Sequence, residues 1–148
     1  MESVNVLVTE PFPAAFIEKL ENVSPRIIVV QHAVEDASQL GDAIEAADVL
    51  YTSAALPEPG EAPRLRWVQL HYAGVDHILR HPLFTGSDVT FTTASGIHSV
   101  NMAEYVLAQV LAFSHHLERM WEDKRDRVWT DERWNRYTPR ELRGATLG

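Results

Sequence analysis

Two short stretches of the chain place small residues, hydroxyls and a histidine where a β-strand hands over to a helix. The first is His71-Tyr72-Ala73-Gly74-Val75-Asp76, directly after an apolar run. Small residues between a strand and a short helix leave several backbone N–H groups free at a helix start. Amides and the helix dipole both favour negative charge, so such a turn suits an anion. One reading is therefore a substrate carboxylate held by the amides of Ala73, Gly74 and Val75. The other is a tight turn whose glycine merely permits the backbone path. The second stretch is Thr92-Thr93-Ala94-Ser95-Gly96-Ile97-His98-Ser99, leading from a strand into a long helix. It offers hydroxyls and a glycine at a strand end, and it also reads as a simple capping loop. Ser53 and Ala54, after another strand, would line the same edge. None of these spacings is specific when taken alone.

Other chemistries find little support. His77 and His81 are four apart, and His71 precedes His77 by six. A zinc site needs three or four convergent ligands, and no HExxH or carboxylate stands at a matching spacing, so no metal site is expected. His115 and His116 are adjacent and would fall on different helix faces. No GxSxG nucleophile turn occurs, and neither does GxGxxG or GxxxxGK. There is no cysteine, which removes thiol catalysis, disulfides and Cys-based metal sites.

The elements that must position these residues alternate. Strand signals are Val4 to Thr9, Arg26 to Gln31, Asp48 to Thr52, Leu65 to Leu70 and Val89 to Thr93. Arg26 to Gln31 is continuously apolar in its middle, which predicts a strand buried on both faces. Helical spacing appears over Ala14 to Leu20, Leu40 to Ala47 and Val75 to Arg80, the last stopped before Pro82. This alternation predicts an α/β fold, a flavodoxin-like doubly wound parallel sheet of about five strands. In such a sheet ligands bind beyond the C-terminal strand ends. A long helix follows from Asn101, with Asn101 as cap, Glu104 as its return partner, and Val100 and Tyr105 as a hydrophobic staple. Ala103, Val106, Leu107, Val110 and Leu111 form its apolar stripe, and it is expected to run past Trp121. Beyond it Trp129 and Trp134 sit in a charged tail and need cover, either from the body of the chain or from another chain. The close, Glu141 to Gly148, reads as a helix exit, a glycine stop and the first residues of a strand.

Composition sets the class. The chain has 148 residues, 45% apolar, and carries a net charge of −8. That length suits one ordinary domain with a real core. Residues 1–117 hold five Lys/Arg against fourteen Asp/Glu, whereas residues 118–148 hold eight against seven. An acidic body argues against nucleic acid, because phosphates would be repelled. No apolar run approaches the ~20 residues needed to cross a bilayer. Met1-Glu2-Ser3 opens no basic-then-apolar leader. These features fit a cytoplasmic protein.

Three segments taken together resemble the D-2-hydroxyacid dehydrogenases: LRWVQLHYAGVDHI, VTFTTASGIHSVNMAEYVLAQVLAF and ELRGATLG, in family order and at family-like separations. They cover roughly the second half of the chain, and the first sixty residues match only in layout. The resemblance implies a two-domain enzyme that reduces 2-oxo acids, or oxidises D-2-hydroxy acids, with NAD or NADP. It implies a substrate-binding portion at 1–100, a linking helix at 101–122, and at 123–148 an arm with the first residues of a cofactor domain. The loop Tyr72, Ala73, Gly74 and Val75 would bind the substrate carboxylate, with Ser53 on the same edge. Thr93, Ala94 and Gly96 would face the cleft near the cofactor, with Ser99 and Met102 toward its nicotinamide end. Many members have Asn where this chain has Thr93, which puts a contact from that side chain in doubt. The family's catalytic His, Arg and Glu and its dinucleotide loop match no position here. The resemblance thus implies that this chain alone is inactive, holds no cofactor tightly, and forms a homodimer through the 101–122 helix and the arm.

A second reading is a non-enzymatic flavodoxin-like module that binds a small ligand or dimerises. A phospho-receiver is disfavoured, because Glu10 is the only acid after the first strand and Thr52-Ser53 stand where an acceptor Asp would be required. Binding of 2-oxo acids separates the substrate-domain reading from a purely structural one.

Overall fold

The computed structural model of the chain describes residues 3–148. Met1 and Glu2, where the sequence shows no basic leader, lie outside the described residues. The chain divides into two compact units, the first ending at Gly96 and the second running from Ile97 to Gly148.

The first unit is built on five parallel strands: β1 (Val4–Val8), β2 (Ile27–Gln31), β3 (Val49–Thr52), β4 (Trp67–Leu70) and β5 (Thr90–Thr92). Their order is β2-β1-β3-β4-β5, the flavodoxin-like arrangement expected. Register aligns one apolar row across the whole sheet: Val30, Leu7, Leu50, Val68 and Phe91. Paired residues of parallel strands share a face, so this row is the floor of the core. Leu40, Ile44, Ala47, Leu56, Leu65 and Ile78 close over it. The opposite face carries Tyr51, Gln69 and Thr92 in another row. There the Trp67 indole N–H donates to Thr92 Oγ1 (2.7 Å), whose hydroxyl donates to Gln69 Oε1 (2.6 Å).

The sequence-based reading of β2 as doubly buried does not hold. Ile28 and Val30 are 49% and 48% exposed. Although β2 extends the core row, it is an edge strand, paired among the described residues with β1 alone. Helix α1 (Ala14–Glu21) packs against this strand.

Two helical expectations also change. Residues 40–47 do not form an α-helix; two short 3₁₀ turns, Ala37–Gln39 and Gly41–Ile44, take their place. Asp36 caps the first turn in a reciprocal box with Gln39, and Gly41 at φ +54 interrupts any continuation. Val75–Arg80 is a chain of turns in which Ile78 N–H bonds to Val75 O and His81 N–H to Ile78 O. The helix starts where the sequence suggested a stop: α2 (Pro82–Gly86) has Pro82 at its first position and His81 as cap, with Nδ1 accepting from Leu83 N–H. A proline at the first helical position loses no bond and has its φ already set.

In the second unit, α3 (Ser99–Ser114) begins two residues earlier than expected. His98 is the cap residue and makes no side-chain cap bond, so Asn101 lies inside the first turn and the Asn101–Glu104 cap with its Val100–Tyr105 staple is not formed. The helix also does not run past Trp121. It ends at Ser114, and α4 (Leu117–Arg125) starts after His116, which adopts φ +57. The break has tertiary causes. The Arg140 amide donates to the Ser114 carbonyl (2.9 Å), and a His116 ring nitrogen contacts the Thr138 carbonyl (3.0 Å). The returning arm thus takes up the Ser114 carbonyl, which a continuous helix would have used internally.

The arm carries α5 (Arg133–Arg136) and is anchored on Asp123 of α4. Arg136 donates twice to the Asp123 carboxylate (2.6 and 2.7 Å), and the Tyr137 hydroxyl donates to it as well. Arg133 stands over both Trp129 and Trp134, at 5.2 and 5.4 Å from the ring centres. Both rings are nevertheless about four-fifths exposed, at 81% and 77%. The closing residues form a turn at Gly144 (φ +77), and 145–148 are not a strand, contrary to the sequence reading.

Candidate functional site

The C-terminal ends of β1, β3 and β4 lie side by side in the sheet, and the loops leaving them make one rim. Glu10 leaves β1, Ser53 leaves β3, and His71 to Val75 leave β4. Core hydrogen bonds fix the first two exits. Thr9 N–H donates to the Tyr51 carbonyl (2.9 Å), and Thr9 Oγ1 pairs with Thr52 Oγ1 (2.9 Å) where both side chains are buried. Gln31 Nε2 donates to the carbonyls of Glu10 and Phe12, holding that loop from β2.

The Ser53 peptide is gripped from both sides. Its N–H donates to Glu10 Oε1 (2.9 Å), and its carbonyl accepts from His77 Nε2 (2.9 Å). A carbonyl only accepts, so the His77 proton sits on Nε2. The His77 ring in turn meets Tyr72 edge-on with centroids 6.0 Å apart. Below this, the Tyr51 hydroxyl pairs with His71 Nδ1 (2.9 Å). Burial raises the Tyr51 phenol above its ordinary value, and the negative charge of Glu10 adds to the effect.

The turn after β4 is open. Tyr72, Ala73 and Gly74 are exposed and Val75 half-buried. Among the described residues no acceptor takes the N–H groups of Tyr72, Ala73, Gly74 or Val75. No α-helix starts at Val75, so any attraction for an anion here comes from the amides themselves rather than from a helix dipole. Gly74 is not in the left-handed region, and a Cβ added to it would meet only Asp76 Oδ2, at 3.7 Å. The backbone path therefore does not require glycine at this position.

Next to the rim is a cleft of about 530 Å³, lined in part by Glu10, Val34, Glu35, Gln39, Ser53 and Tyr72. The exit of β5 is tied to that of β4, because Ala94 N–H donates to the Tyr72 carbonyl (3.1 Å). The Thr93 hydroxyl pairs with Ser95 Oγ (2.8 Å), and Gly96 at φ +93 requires its glycine. Ser99 and Met102 belong to the second unit, in the first turn of α3, and are exposed. Tyr72 and Ser53 thus share one cleft with Glu10 and Glu35, while Ala73, Gly74 and Val75 continue the turn from Tyr72.

A larger cavity of about 970 Å³ lies within the second unit, between α4 and the arm. Two of its charged groups are already engaged, Asp123 by Arg136 and Tyr137 and Arg133 by two tryptophans, and none of the residues singled out from the sequence for substrate or cofactor contact lines it. Among the described residues no three His, Asp or Glu side chains are placed to hold a metal ion. Sequence reasoning missed Glu10 and His77 as groups that hold Ser53. The available signal was the position of Glu10, directly after β1.

Structural comparison gives these loops a context. A D-isomer specific 2-hydroxyacid dehydrogenase family protein from Aeromonas salmonicida superposes with TM-score 0.62 at 24% identity, over 87% of this chain and 41% of its own. A D-lactate dehydrogenase from Aquifex aeolicus, complexed with NAD and lactic acid, gives 0.59 at 18% identity, over 93% and 41%. A D-lactate dehydrogenase from Treponema pallidum gives 0.62 at 18% identity, over 94% and 43%. The chain shares their fold. It spans about two-fifths of the length of these enzymes. No protein-family model matches the chain. No curated protein matches it either.

Proposed function

We propose that the chain is the substrate-binding portion of an NAD- or NADP-dependent oxidoreductase that interconverts small 2-oxo acids and D-2-hydroxy acids. One observation carries this reading: four consecutive free amides, Tyr72 to Val75, run from a residue that lines a cleft at the carboxyl rim of a parallel sheet. The fold is shared with dehydrogenases of such acids, one of them complexed with NAD and lactic acid. In this reading the substrate carboxylate accepts from the amides of Ala73, Gly74 and Val75. Ser53 and Tyr72 bound the space for the rest of the molecule.

The dinucleotide would supply the hydride acceptor or donor. The residues described here do not by themselves fit it. The segment from Thr93 to Ser99 lacks the spaced glycines that let a pyrophosphate approach a helix start, and α3 opens on His98 without a side-chain cap. Thr93, Ala94, Gly96, Ser99 and Met102 remain proposed neighbours of the nicotinamide end in the whole protein. The chain's own contribution is to bind and orient the acid; turnover and the catalytic groups are assigned to the rest of a longer protein. The exposed Leu107, Leu111, Trp129 and Trp134 fit a homodimer interface through α3, α4 and the arm. A cytoplasmic location completes the reading.

Calorimetric titration of the chain with pyruvate and glyoxylate tests the proposal. Weak binding of both, with no NADH oxidation by the chain alone, is expected. Absence of any heat above dilution at millimolar acid would remove the reading.

A further inference from the structure

The charge of the rim cleft says more about the acid than the amide turn does. Glu10 and Glu35 both line it, and none of its lining residues is Lys, Arg or His. Among the described residues no cationic side chain pairs with either carboxylate. Glu10 is held in place, since its Oε1 accepts the Ser53 N–H at 2.9 Å, so its charge cannot swing away without releasing the exit of β3. That charge is felt locally, because it helps raise the neighbouring Tyr51 phenol. The rest of the lining, which includes Val34, Ala54 and Gln39, is uncharged.

We infer that this cleft is a charge filter: it accepts monoanionic 2-oxo acids with a short neutral or hydrogen-bond-donating tail and rejects those bearing a second anionic group, with Glu10 and Glu35 as the specificity-determining residues. The inference rests on the proposed function. It divides the acids the reading allows into a pyruvate-, glyoxylate- or hydroxypyruvate-like class and an excluded class of dicarboxylates and phosphate esters. A volume of about 530 Å³ is that of a sphere roughly 10 Å across, which sets the order of the distance between a tail group in the cleft and the two carboxylates that line it. Two unit repulsions at such a range in a partly solvated medium discriminate by roughly five- to thirtyfold. The effect is electrostatic, so it fades when the screening length drops to about 3 Å in ~1 M salt.

Hydroxypyruvate and its 3-phosphate differ by the added anionic group, and titrating each into ¹⁵N-labelled chain at low salt tests the filter. Amide shifts at Ala73, Gly74 and Val75 report binding. Hydroxypyruvate is expected to bind at least about fivefold more tightly than the phosphate ester. High salt should narrow the gap, as should Glu10→Gln and Glu35→Gln together. Glutamine at position 10 keeps an oxygen for the Ser53 N–H, so the rim geometry is preserved. Equal binding of the two acids by the unaltered chain would overturn the filter, and so would a gap that persists in the double variant. If neither acid moves the 73–75 amides, the substrate-domain reading itself falls and takes the filter with it.

Discussion

Replacing Gly74 with alanine separates a functional turn from a merely tight one. Two features of the structure set the expected size of the effect on stability. Gly74 does not have a positive φ, and the new methyl would touch only Asp76 Oδ2, at an ordinary 3.7 Å. With no strain introduced, alanine restricts the unfolded chain and stabilises the fold by about 0.4–1 kcal/mol. For a chain of this size that raises the melting temperature by roughly 1–4 °C. Binding should move the other way. On the proposed reading, the methyl would crowd the 73–75 amides that a carboxylate has to reach. Loss of one charge-assisted hydrogen bond costs about 1.5–3 kcal/mol, or roughly ten- to 150-fold in affinity. The assay pairs thermal melting with titration of pyruvate, reading the amides of residues 72–75. Undiminished pyruvate affinity would show that the carboxylate is not held there. A fall of several degrees in melting temperature would show that the fold needs the glycine after all.

Three further outcomes concern the scaffold. Leu50 lies fully buried in β3, between β1 and β4 on the core row, so Leu50→Ala should cost about 2–5 kcal/mol in urea denaturation; a cost below ~1 kcal/mol would mean the core collapses around the gap. Arg136 and then Tyr137, both donating to Asp123, hold that carboxyl below its ordinary value. A depressed folded value means the stabilisation is present above the unfolded value of about 3.9 and is lost as pH falls through the folded one. The second unit should therefore loosen below about pH 4, as seen in tryptophan fluorescence, and Asp123→Asn should already weaken it at neutral pH and flatten that acid limb; an unchanged acid profile in the variant would contradict this. Sedimentation at high concentration should show self-association that weakens in Trp129→Ser/Trp134→Ser, and a concentration-independent monomer would count against the interface.

The strand order and the strand-end positions of Ser53 and of Tyr72 to Val75 were legible because they rest on local patterns. Five short β-rich runs separated by crossovers leave few alternatives to a parallel sheet, and ligand-competent loops in such a sheet lie at one edge. What escaped the sequence was whatever depends on distant partners. The end of α3 at Ser114 is set by an amide from Arg140. Glu10 reaches Ser53 across 43 positions, and His77 reaches it across 24. The start of α2 was misplaced for a different reason: Pro82 terminates a helix before it or opens one after it, and the sequence favours neither outcome. The exposure of β2 was hidden because a run of Ile and Val looks alike in a central and an edge strand.

The two halves of the site pull in opposite directions, and that tension bears on how firmly an acid is held. On the proposed reading the free amides of Tyr72 to Val75 would attract a carboxylate, yet they lack the reinforcement of a helix dipole, because residues 75–80 are turns. The cleft beside them carries Glu10 and Glu35 with no cation on its walls. An acid docked on the turn therefore gains amide hydrogen bonds and pays a repulsion, so its net affinity for this chain should be weak even with the geometry ideal. Placing the acid group on the amides and the neutral tail toward Glu10 is the orientation that minimises the repulsion. On the proposed reading, the same two carboxylates that weaken binding would thus set its direction.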